Sequence, residues 1–372
     1  MKILHCTFAL SCGGVETLLV SLANRQARMH SVEVCTITPP STYDIARRGL
    51  DESVSQTHLG KRGVLSGFRA MAVLARKLRS ERYDIVHIHG QLYYYVAAIV
   101  SAPASTRFVY TVHNDASHED GRWDRLLTPL KRKWFYNGRL TAVTISVASK
   151  HSFETYYGSD VYSVLIPNGI EPVEVSGNSG DALAAWRINP STRVFVNPGR
   201  LYVQKNQVEL CKAFHLLLGG QNAPDVQLII AGPPEEPDIL ERIKPYLCER
   251  IVYAGACDNL PQMLASADAM ILPSLWEGMP ISLLECLSVG CVPVCTLVGG
   301  VADIVGNDSG CGIVINTPLA VDIAEAVKSF AMMDDMQVEK LKARSREAFA
   351  SYDIRACAEK YIDLYENLVA ER

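Results

Sequence analysis

Short apolar segments alternate with amphipathic segments of helical length along the whole chain, and this alternation constrains the fold more than any other feature. The apolar segments are about 5 to 7 residues long and nearly continuously apolar, as strands covered on both faces are. They are KILHCTF, SVEVCTIT, DIVHIHG, RFVYTVHN and AVTIS in the first half, and RVFVNPG, VQLIIAG, RIVYAG, AMILPS, VPVCTL and CGIVI in the second. Helical periodicity marks 14–29, 65–82, 205–219 and 321–330. The alternation predicts parallel sheets joined by right-handed crossovers.

The alternation occurs twice, and the aperiodic stretch EPVEVSGNSGD separates the two series. A chain of 372 residues is long enough for two domains. We therefore predict two doubly wound α/β domains, at 1–172 and 173–354, and a last amphipathic helix at 355–372 that packs back on the first domain. Ligands of such sheets bind beyond the carboxyl ends of the strands, so we expect the site in a cleft where the two domains face each other.

Composition excludes several classes of protein. With 48% hydrophobic and 20% charged residues, the chain is neither disordered, collagen-like nor a coiled coil. No apolar run approaches the roughly 18–20 residues that span a bilayer, and the N-terminal apolar stretch is predicted to be a buried strand because no cleavage site follows it. The 11 cysteines include no C-x-x-C pair, which argues against a zinc knuckle or a disulfide framework. These features predict a cytoplasmic location.

Charge is distributed unevenly between the two halves. Residues 1–170 carry 20 basic and 13 acidic side chains, whereas the remainder carries 16 basic and 27 acidic. In the densest basic stretch, 122–139, arginines and lysines alternate with apolar residues, which predicts an amphipathic basic helix suited to an anionic membrane surface. An ordinary helix with its apolar face in the core fits this pattern equally well. No sequence motif or strongly basic domain indicates nucleic-acid binding.

Residues 272–294, LPSLWEGMPISLLECLSVGCVPV, are the most informative segment. A predicted strand ends there, a turn containing Gly278 follows, and a helix is predicted to begin at Pro280, since proline suits the first helical position. The amides of Ile281 and Ser282 would then form an anion-binding helix N-terminus.

Two acidic residues flank this predicted N-terminus. Glu277 precedes the helix, and Glu285 lies in its second turn among apolar residues, where an unpaired charge is costly. A sugar hydroxyl, a lysine or an arginine would supply a partner for Glu285. The alternative interpretation is a structural acid before the helix and an ion pair in the core.

Two glycine-containing turns each follow the first strand of a series. In NPGRLYVQKNQVEL, residues 197–210, Arg200 and Lys205 converge beyond a strand end and suggest a diphosphate clamp, with a solvated loop as the alternative. In SCGGVET, Gly13 and Gly14 would let backbone amides approach a ligand, although a plain tight turn also explains such a pair. No G-x-G-x-x-G follows a predicted strand, which argues against a nicotinamide dehydrogenase.

Histidines occupy the carboxyl ends of two predicted strands. His113, in TVHN, is a candidate site residue, although an isolated histidine often has only a structural role. His87 and His89 have strand spacing and therefore face the same side. No carboxylate pattern supports a metal site among these three residues, and no D-x-D motif is present to hold a metal-bound nucleotide diphosphate. No metal is predicted.

Together these segments resemble the GT-B glycosyltransferases, and within them the large retaining family 4 group. The motifs GGVE, TVHN, IPNGI (166–170), GRLYVQKNQ, IIAGP (229–233), YAGACDNLPQMLASAD (253–268) and Glu-x7-Glu at Glu277 and Glu285 fall in that family's order and cover nearly the whole chain. The resemblance implies a GT-B fold of two Rossmann-like domains. It also implies transfer of a sugar from a nucleotide-diphosphate donor with retention of the anomeric configuration.

The resemblance implies roles for the candidate residues. Arg200 and Lys205 would neutralise the donor diphosphate. Glu277 would hold hydroxyls of the transferred sugar, Glu285 would accept hydrogen bonds from the ribose, and His113 would lie near the reacting sugar. The implied catalytic residues are His113, Glu277, Arg200 and Lys205, and the implied donor-binding residues are Gly13, Gly14, Arg200, Lys205, Tyr253, Ala254, Glu277, Gly278, Met279, Pro280, Ile281, Ser282 and Glu285.

Within the implied donor site, backbone amides near Met279–Ser282 would hold phosphate oxygens, and the backbone at Tyr253 and Ala254 would border the nucleobase. Two positions depart from the family pattern. Met279 stands where phenylalanine or leucine is common, and Asn206 stands where glycine is frequent.

The expected function is that of a retaining, metal-independent hexosyltransferase in bacterial surface polysaccharide biosynthesis. Its donor would be a nucleotide-diphosphate sugar, with UDP favoured over GDP, and its acceptor a glycan or a lipid-linked molecule. The alternative is a catalytically inactive nucleotide-sugar-binding or assembly protein on the same fold. No separate cofactor is expected. The expected location is the cytoplasm, including the inner face of the cytoplasmic membrane.

Overall fold

A computed structural model describes residues 1–11, 13–41, 44, 49–119, 122–174, 181–306 and 309–371. The chain divides into two compact units, Met1–Glu171 with Tyr352–Arg372, and Pro172–Ser351. Each unit is built on a single parallel sheet whose strands are connected by helices. The predicted α/β class is therefore confirmed for both units.

In its described part, the first unit contains seven strands. They are β1 (Lys2–Thr7), β2 (Ser31–Thr36), β3 (Ser55–His58), β4 (Ile85–His89), β5 (Arg107–Val112), β6 (Leu140–Thr144) and β7 (Ser163–Leu165). Their order in the sheet is β3-β2-β1-β4-β5-β6-β7. The helices are α1 (Gly14–Ala27), α2 (Val64–Glu81), α3 (Val96–Ser101), α4 (Ala116–Glu119), α5 (Arg122–Leu126), α6 (Thr128–Tyr136), α7 (Val147–Tyr157) and, at the end of the chain, α15 (Ile354–Ala370).

Six strands lie in the described residues of the second unit. They are β8 (Arg193–Pro198), β9 (Val226–Ala231), β10 (Ile251–Gly255), β11 (Ala269–Leu272), β12 (Val292–Thr296) and β13 (Ile313–Ile315), in the order β10-β9-β8-β11-β12-β13. This is the strand order of a dinucleotide-binding Rossmann fold. The helices are α8 (Gln207–Leu218), α9 (Pro237–Ile243), α10 (Leu260–Ser266), α11 (Ile281–Val289), α12 (Gly300–Val305), α13 (Ala320–Ala331) and α14 (Asp335–Phe349).

The sequence predicted every strand except the two at the edges of the first sheet. The missed strands are β3, whose residues SQTH are mostly polar and half exposed, and the three-residue β7. These two edge strands have a neighbour on one side only and lack the continuous apolar run that marks a buried strand. The edge strands of the second sheet, β10 and β13, keep such a run and were predicted. In both sheets the order reverses next to the first strand, between β1 and β4 and between β8 and β11.

The last helix, α15, is part of the first unit. It contacts α1, and its Tyr361 and Tyr365 are fully buried. A close approach at Gly169 supports this packing, because a Cβ there would crowd the Cβ of Cys357. The division between the units falls after Glu171 and again before Tyr352.

The predicted basic helix at 122–139 is wrong as a single amphipathic element. The segment forms two helices, α5 and α6, and Asn137 and the residues after it lie beyond the second. Lys131 is fully buried and forms an ion pair of 3.0 Å with Asp124, and Trp134 and Phe135 lie in the core. The side chains at 122 and 123 lie outside the described residues. Only part of the predicted basic face is therefore available to a membrane.

One face of the first sheet carries a layer of buried histidines. His5 on β1 and His87 and His89 on β4 are almost completely buried, and the ring centroids of His87 and His89 lie 4.0 Å apart. The prediction that these two face the same side is confirmed. Burial lowers the pKa of His5 to about 4 and that of His87 and His89 well below 6.5, so all three are neutral at pH 7.

The buried histidines predict acid sensitivity in the first unit. Below pH 6.5 the unfolded chain binds a proton at His5, whereas the folded chain does so only near pH 4, so acidification between these values favours unfolding. His5 alone would lower the free energy of unfolding by about 3 kcal/mol over this range. Hydrogen exchange of the β1 and β4 amides, corrected for intrinsic rates, measures this effect. Protection that stays constant from pH 7 to pH 4.5 would contradict it.

Candidate functional site

The second unit brings two predicted site residues together where its strand order reverses. Lys205 follows β8 and Glu277 follows β11, and Lys205 Nζ lies 2.6 Å from Glu277 Oε1. Lys205 was expected to open a helix. Instead it ends the short 3₁₀ turn Val203–Lys205, and α8 begins at Gln207. Lys205 therefore lies just before the N-terminus of α8, where a cation is disfavoured, and Glu277 supplies the compensating negative charge.

Glu277 is buried and accepts hydrogen bonds from several donors. Ser274 Oγ donates to Oε1 at 2.7 Å, and Gln204 Nε2 lies 3.4 Å from Oε2 while also donating to the carbonyl of Trp276 at 2.7 Å. These bonds compensate the carboxylate for the water it loses. Ser274 and Gln204 were not predicted as site residues, because a single serine or glutamine in a loop gives no distinctive signal.

Two glycines allow the backbone to approach this ion pair. Gly199 has a φ of 133°, and a Cβ there would press on the aliphatic part of Lys205. Gly299, after β12, has a φ of 53°, and a Cβ there would overlap the carbonyl oxygen of Glu277. The turn that contains Gly199 was predicted from the sequence, whereas Gly299 was not. Gly299 and Gly300 follow a strand end, as Gly13 and Gly14 do. The same sequence pattern could therefore have predicted a close backbone turn at Gly299.

Asn206 ties the same turn to its neighbours. Its φ is 58°, the left-handed conformation in which glycine is favoured and asparagine is tolerated. Its Nδ2 donates to the carbonyls of Pro273, at 3.1 Å, and Pro318, at 2.7 Å. Asparagine thus adopts a backbone conformation that favours glycine, and its side chain adds two hydrogen bonds.

Arg200 lies in a second ion pair at this edge of the sheet. Its Nη1 is 2.6 Å from Glu235 Oε2, and 53% of its side chain is exposed. Arg200 and Lys205 are thus each paired with a carboxylate, and the structure does not bring them together through a shared partner. Glu235 was missed, because an acidic residue in a loop is usually solvated.

The helix predicted after Glu277 is present as α11, with one change at its start. Pro280 is the N-cap residue and Ile281 is the first helical residue, one position later than predicted. The amides of Ile281 and Ser282 belong to the first turn, where backbone donors have no acceptor within the helix. Met279 and Ile281 are buried. Gly278 accepts a backbone hydrogen bond from Gly300.

Glu285 is a partly buried carboxylate on α11. Burial raises its pKa to about 7. Within the described part of the chain, Glu285 forms no ion pair or hydrogen bond, so the alternative of a core ion pair at this position is not supported. An unpaired acid that titrates near neutral pH suits a ligand that donates hydrogen bonds.

Tyr253 and Ala254 lie on β10, at the outer side of the second sheet. The Tyr253 hydroxyl donates to the carbonyl of Gly232 at 2.9 Å, and burial raises the pKa of this phenol. A Cβ at Gly232 would overlap the carbonyl oxygen of Gly199, so the ends of β9 and β8 pack closely.

In the first unit, Gly13 is the N-cap of α1 and has an extended backbone. A Cβ at Gly13 would overlap Oε2 of Glu16, so a carboxylate already lies at this helix N-terminus. Gly14 is the first residue of the helix. A phosphate at this turn would have to displace Glu16 or share its position.

His113 directly follows β5 and joins the buried histidines of the first sheet. Its Nε2 lies 3.0 Å from His89 Nδ1, and burial lowers its pKa to about 4. The sequence pattern placed His113 at the correct edge of the sheet. It did not identify His5, which contacts His89 from β1 at 3.2 Å.

Three histidines have the spacing of metal ligands. Among the described residues, His5, His87 and His89 bring ring nitrogens within 4.8 Å of one another. Hydrogen bonds already account for all six nitrogens. The partners are Gln26 and His89 for His5, Tyr365 and Thr111 for His87, and His5 and His113 for His89. The arrangement is therefore complete as a hydrogen-bonded network.

Two family sequence models match the chain, one in each unit. Residues 12–174 match Glycosyltransferase Family 4, and residues 181–348 match Glycosyl transferases group 1. Together the two matches span almost the whole chain.

Individual relatives are similar over most of their length. The chain is 25% identical, over 83% of its length and 82% of the relative's, to the UDP-Gal:alpha-D-GlcNAc-diphosphoundecaprenol alpha-1,3-galactosyltransferase of Escherichia coli. It is 24% identical, over 98% and 96%, to the GDP-mannose:cellobiosyl-diphosphopolyprenol alpha-mannosyltransferase of Xanthomonas campestris. The fold matches the structure of Anabaena Alr3699/HepE in complex with UDP and glucose, with a TM-score of 0.82, 17% identity, and coverage of 99% and 100%.

The raised pKa of Glu285 predicts a pH-dependent gain in stability when it is replaced. The unfolded carboxyl loses its proton near pH 4.5 and the folded one near pH 7, so stability falls as pH rises between these values. Glu285→Gln should raise the free energy of unfolding at pH 8 by up to about 3 kcal/mol, and by little at pH 5. Urea titrations of both proteins measure the difference. An equal effect at the two pH values would contradict the assignment.

Proposed function

The chain is a glycosyltransferase of family 4 with the GT-B fold, and from this premise we propose that it transfers a hexose from a nucleotide-diphosphate sugar to a lipid-linked or glycan acceptor. We propose that the anomeric configuration is retained and that no metal ion takes part. The observation that carries the proposal is the pairing of Lys205 with the buried Glu277 where the strand order of the second sheet reverses. That position is where such sheets bind nucleotides.

The names of the relatives support the choice of donor and acceptor. The Escherichia coli relative is named for UDP-galactose, and the Anabaena structure holds UDP, whereas the Xanthomonas relative is named for GDP-mannose. UDP is therefore the first candidate and GDP the second. Both relatives are named for acceptors on a polyprenol diphosphate, which favours a lipid-linked acceptor and a role in surface polysaccharide biosynthesis.

In the proposed mechanism, the donor diphosphate takes the place of the two carboxylates as the partner of the cations. Arg200 leaves Glu235, and Lys205 turns from Glu277 to the phosphate next to the sugar. Glu277 then accepts hydrogen bonds from sugar hydroxyls. As the anomeric C–O bond breaks, the acceptor oxygen bonds to the anomeric carbon on the same face and its hydroxyl proton passes to the leaving phosphate. Preorganised cations and amides stabilise the negative charge that grows on this phosphate. The amides of α11 add to this effect.

Other residues bind the donor without taking part in bond breaking. Glu285, in its ionised form, accepts hydrogen bonds from the ribose, and the backbone at Tyr253 and Ala254 borders the nucleobase. His113 contacts a substrate hydroxyl. A metal ion is not required in this proposal, because the positive charges come from side chains and from a helix N-terminus.

Binding of a nucleoside diphosphate should depend on Arg200. At a concentration 100 times its Kd, UDP should stabilise the wild-type chain by about 2.7 kcal/mol, measured as thermal unfolding in EDTA. Arg200→Ala should lose most of this shift and lower the transfer rate by about 10²–10³. Arg200→Ala tests donor binding more directly than Lys205→Ala, because the loss of Lys205 would also leave the buried Glu277 without its cation.

Arg242→Ala is the matched control for this experiment. Arg242 is an exposed arginine of the same unit, paired with Asp238 at 3.7 Å on α9, and its replacement should leave the shift unchanged. A shift that UDP and GDP produce only with magnesium would contradict metal independence. Binding without transfer to any polyprenol-diphosphate acceptor would favour the inactive binding protein. A product of inverted configuration, seen by NMR, would contradict retention.

For contact with the membrane we propose a surface different from the predicted stretch at 122–139. Among the described residues, no helix has the length and apolar character that crossing a bilayer requires. At the start of α2, however, Val64, Leu65 and Phe68 expose 78%, 86% and 67% of their area, and Arg62 and Arg69 beside them are exposed. These five residues, called the α2 surface below, combine apolar side chains with positive charge, as interfacial helices do.

The α2 surface should hold the chain on vesicles that contain phosphatidylglycerol. Replacing both Leu65 and Phe68 with serine should lower vesicle binding at least about tenfold, since burying each such side chain contributes about 1.5–3 kcal/mol. Co-sedimentation measures the bound fraction. The matched control replaces Leu126 and Tyr136 with serine. These two residues of the segment 122–139 are 70% and 65% exposed. If only this control lost vesicle binding, the membrane contact would lie at 122–139 as first predicted, and the proposal of the α2 surface would be contradicted.

A further inference from the structure

Two donors hold the same oxygen of the Glu277 carboxylate. Lys205 Nζ lies 2.6 Å from Oε1, and the Ser274 hydroxyl donates to Oε1 at 2.7 Å. Ser274 and Glu277 are both buried, in the turn that follows β11. A carboxylate oxygen has two lone-pair sites, so these two bonds occupy Oε1.

The other oxygen of this carboxylate, Oε2, has one long contact within the described residues. Gln204 Nε2 lies 3.4 Å from Oε2, beyond the range of about 2.7–3.2 Å that is typical of an N–H···O hydrogen bond. The same amide nitrogen donates at 2.7 Å to the carbonyl of Trp276. Oε2 is therefore the oxygen of Glu277 that has capacity for a further donor.

Ser274 is itself held by the last residue of β12. The Thr296 hydroxyl donates to the Ser274 carbonyl at 2.7 Å, and Thr296 is buried. Thr296 belongs to the sheet, since β12 pairs with β11 on one side and with β13 on the other. The position of Ser274 is therefore set by the second sheet.

Lys205 is the donor to Oε1 that a ligand can remove. It ends the short turn Val203–Lys205, and its charge reaches Glu277 at the end of a long side chain with several rotatable bonds. In the proposed function, the donor diphosphate draws Lys205 away from Glu277. Oε1 then loses its charged donor and keeps Ser274, because a neutral hydroxyl is not drawn to the phosphates in the same way.

We propose that Ser274 is a positioning residue that holds the Glu277 carboxylate in place while Lys205 binds the donor diphosphate. The bond from Ser274 to Oε1 leaves Oε2 to accept from hydroxyls of the transferred sugar. Ser274 therefore contributes to binding of the sugar and not to binding of the nucleotide. The contact between Oε2 and the sugar rests on the proposed function, whereas the anchoring of Glu277 by Ser274 requires no ligand.

A second buried serine of the same unit supplies a matched control. The Ser345 hydroxyl, on α14, donates to the carbonyl of Cys291 at 2.7 Å, and Ser345 is fully buried. Ser345→Ala removes the same chemical group as Ser274→Ala, from a hydrogen bond of the same length. None of the hydrogen bonds of Glu277 described above involves Ser345, so this control reports the effect of lost stability alone.

Calorimetry on the full chain in EDTA tests the selective effect on the sugar. It compares UDP with UDP-galactose, and GDP with GDP-mannose. Ser274→Ala should leave the Kd of the nucleoside diphosphate unchanged and raise the Kd of the matching sugar nucleotide about two- to tenfold, the value of one hydrogen bond. Ser345→Ala should change neither Kd. If the alanine variant of Ser274 does not fold, Ser274→Cys replaces it, because a thiol is only a weak donor.

Three binding results would overturn the inference. The first is an equal loss of affinity for the diphosphate and for the sugar nucleotide in Ser274→Ala, which would mean that the serine supports the site as a whole. The second is a pair of Kd values that Ser274→Ala leaves unchanged. The third is the same selective loss in Ser345→Ala, which would mean that any buried serine of this unit affects the sugar.

Crystal structures without ligand separate this inference from the proposed function. In Lys205→Met, the Glu277 carboxylate should keep its position and its hydrogen bond to Ser274. In the double variant Lys205→Met, Ser274→Ala, the carboxylate should leave this position, and an unchanged position there would contradict the anchoring. If the wild type binds none of the four nucleotides, the proposed function fails, and the two crystal structures still decide whether Ser274 anchors Glu277.

Discussion

The parallel pairing of strands is the constraint on which the rest of this structure depends. A parallel sheet is covered on both faces, so each strand must be followed by a crossover that returns to the same end. All carboxyl ends of the strands then lie along one edge in each unit. Lys205, Glu277 and the start of α11 lie at this edge in the second sheet, and His113 lies at it in the first. The chemistry of the protein is concentrated where the topology brings strand ends together.

In the second unit, the charges at this edge are balanced by the protein itself. Lys205 is paired with the buried Glu277, and Arg200 with Glu235. Lys205 and Glu277 are both largely buried, and either charge without its partner would be expensive, whereas Arg200 and Glu235 are exposed to solvent. In the proposed function, the same pairing holds the cations near the donor diphosphate. Glycines at 199 and 299 make this dense packing possible, since a Cβ at either position would crowd or overlap the pair.

In the first unit, polar histidine side chains are buried against one face of the sheet. The buried histidines are neutral because they cannot be solvated, and they satisfy one another and nearby hydroxyl and amide groups. Such a layer contributes less to stability than an apolar one of the same size, because each hydrogen bond only replaces one to water.

The sequence by itself determined the two series of strands and helices, because an apolar run of strand length and an amphipathic run of helical length are local properties. It also placed His113, Arg200, Lys205 and the Glu277 turn after strand ends, since glycine and charge directly after an apolar run mark that position. Local pattern could not find the edge strands β3 and β7, which lack the burial that creates an apolar run.

Only the tertiary structure decided which of these residues meet. It paired Lys205 with Glu277 across 72 positions of sequence and left Glu285 without a partner in the described residues. It also buried Lys131 against Asp124, in a segment whose composition predicted an exposed basic face. Ion pairs and hydrogen bonds between distant residues depend on which strands are neighbours in the sheet. Neighbour relations are set by the packing of the whole unit, and no local pattern in the chain encodes them.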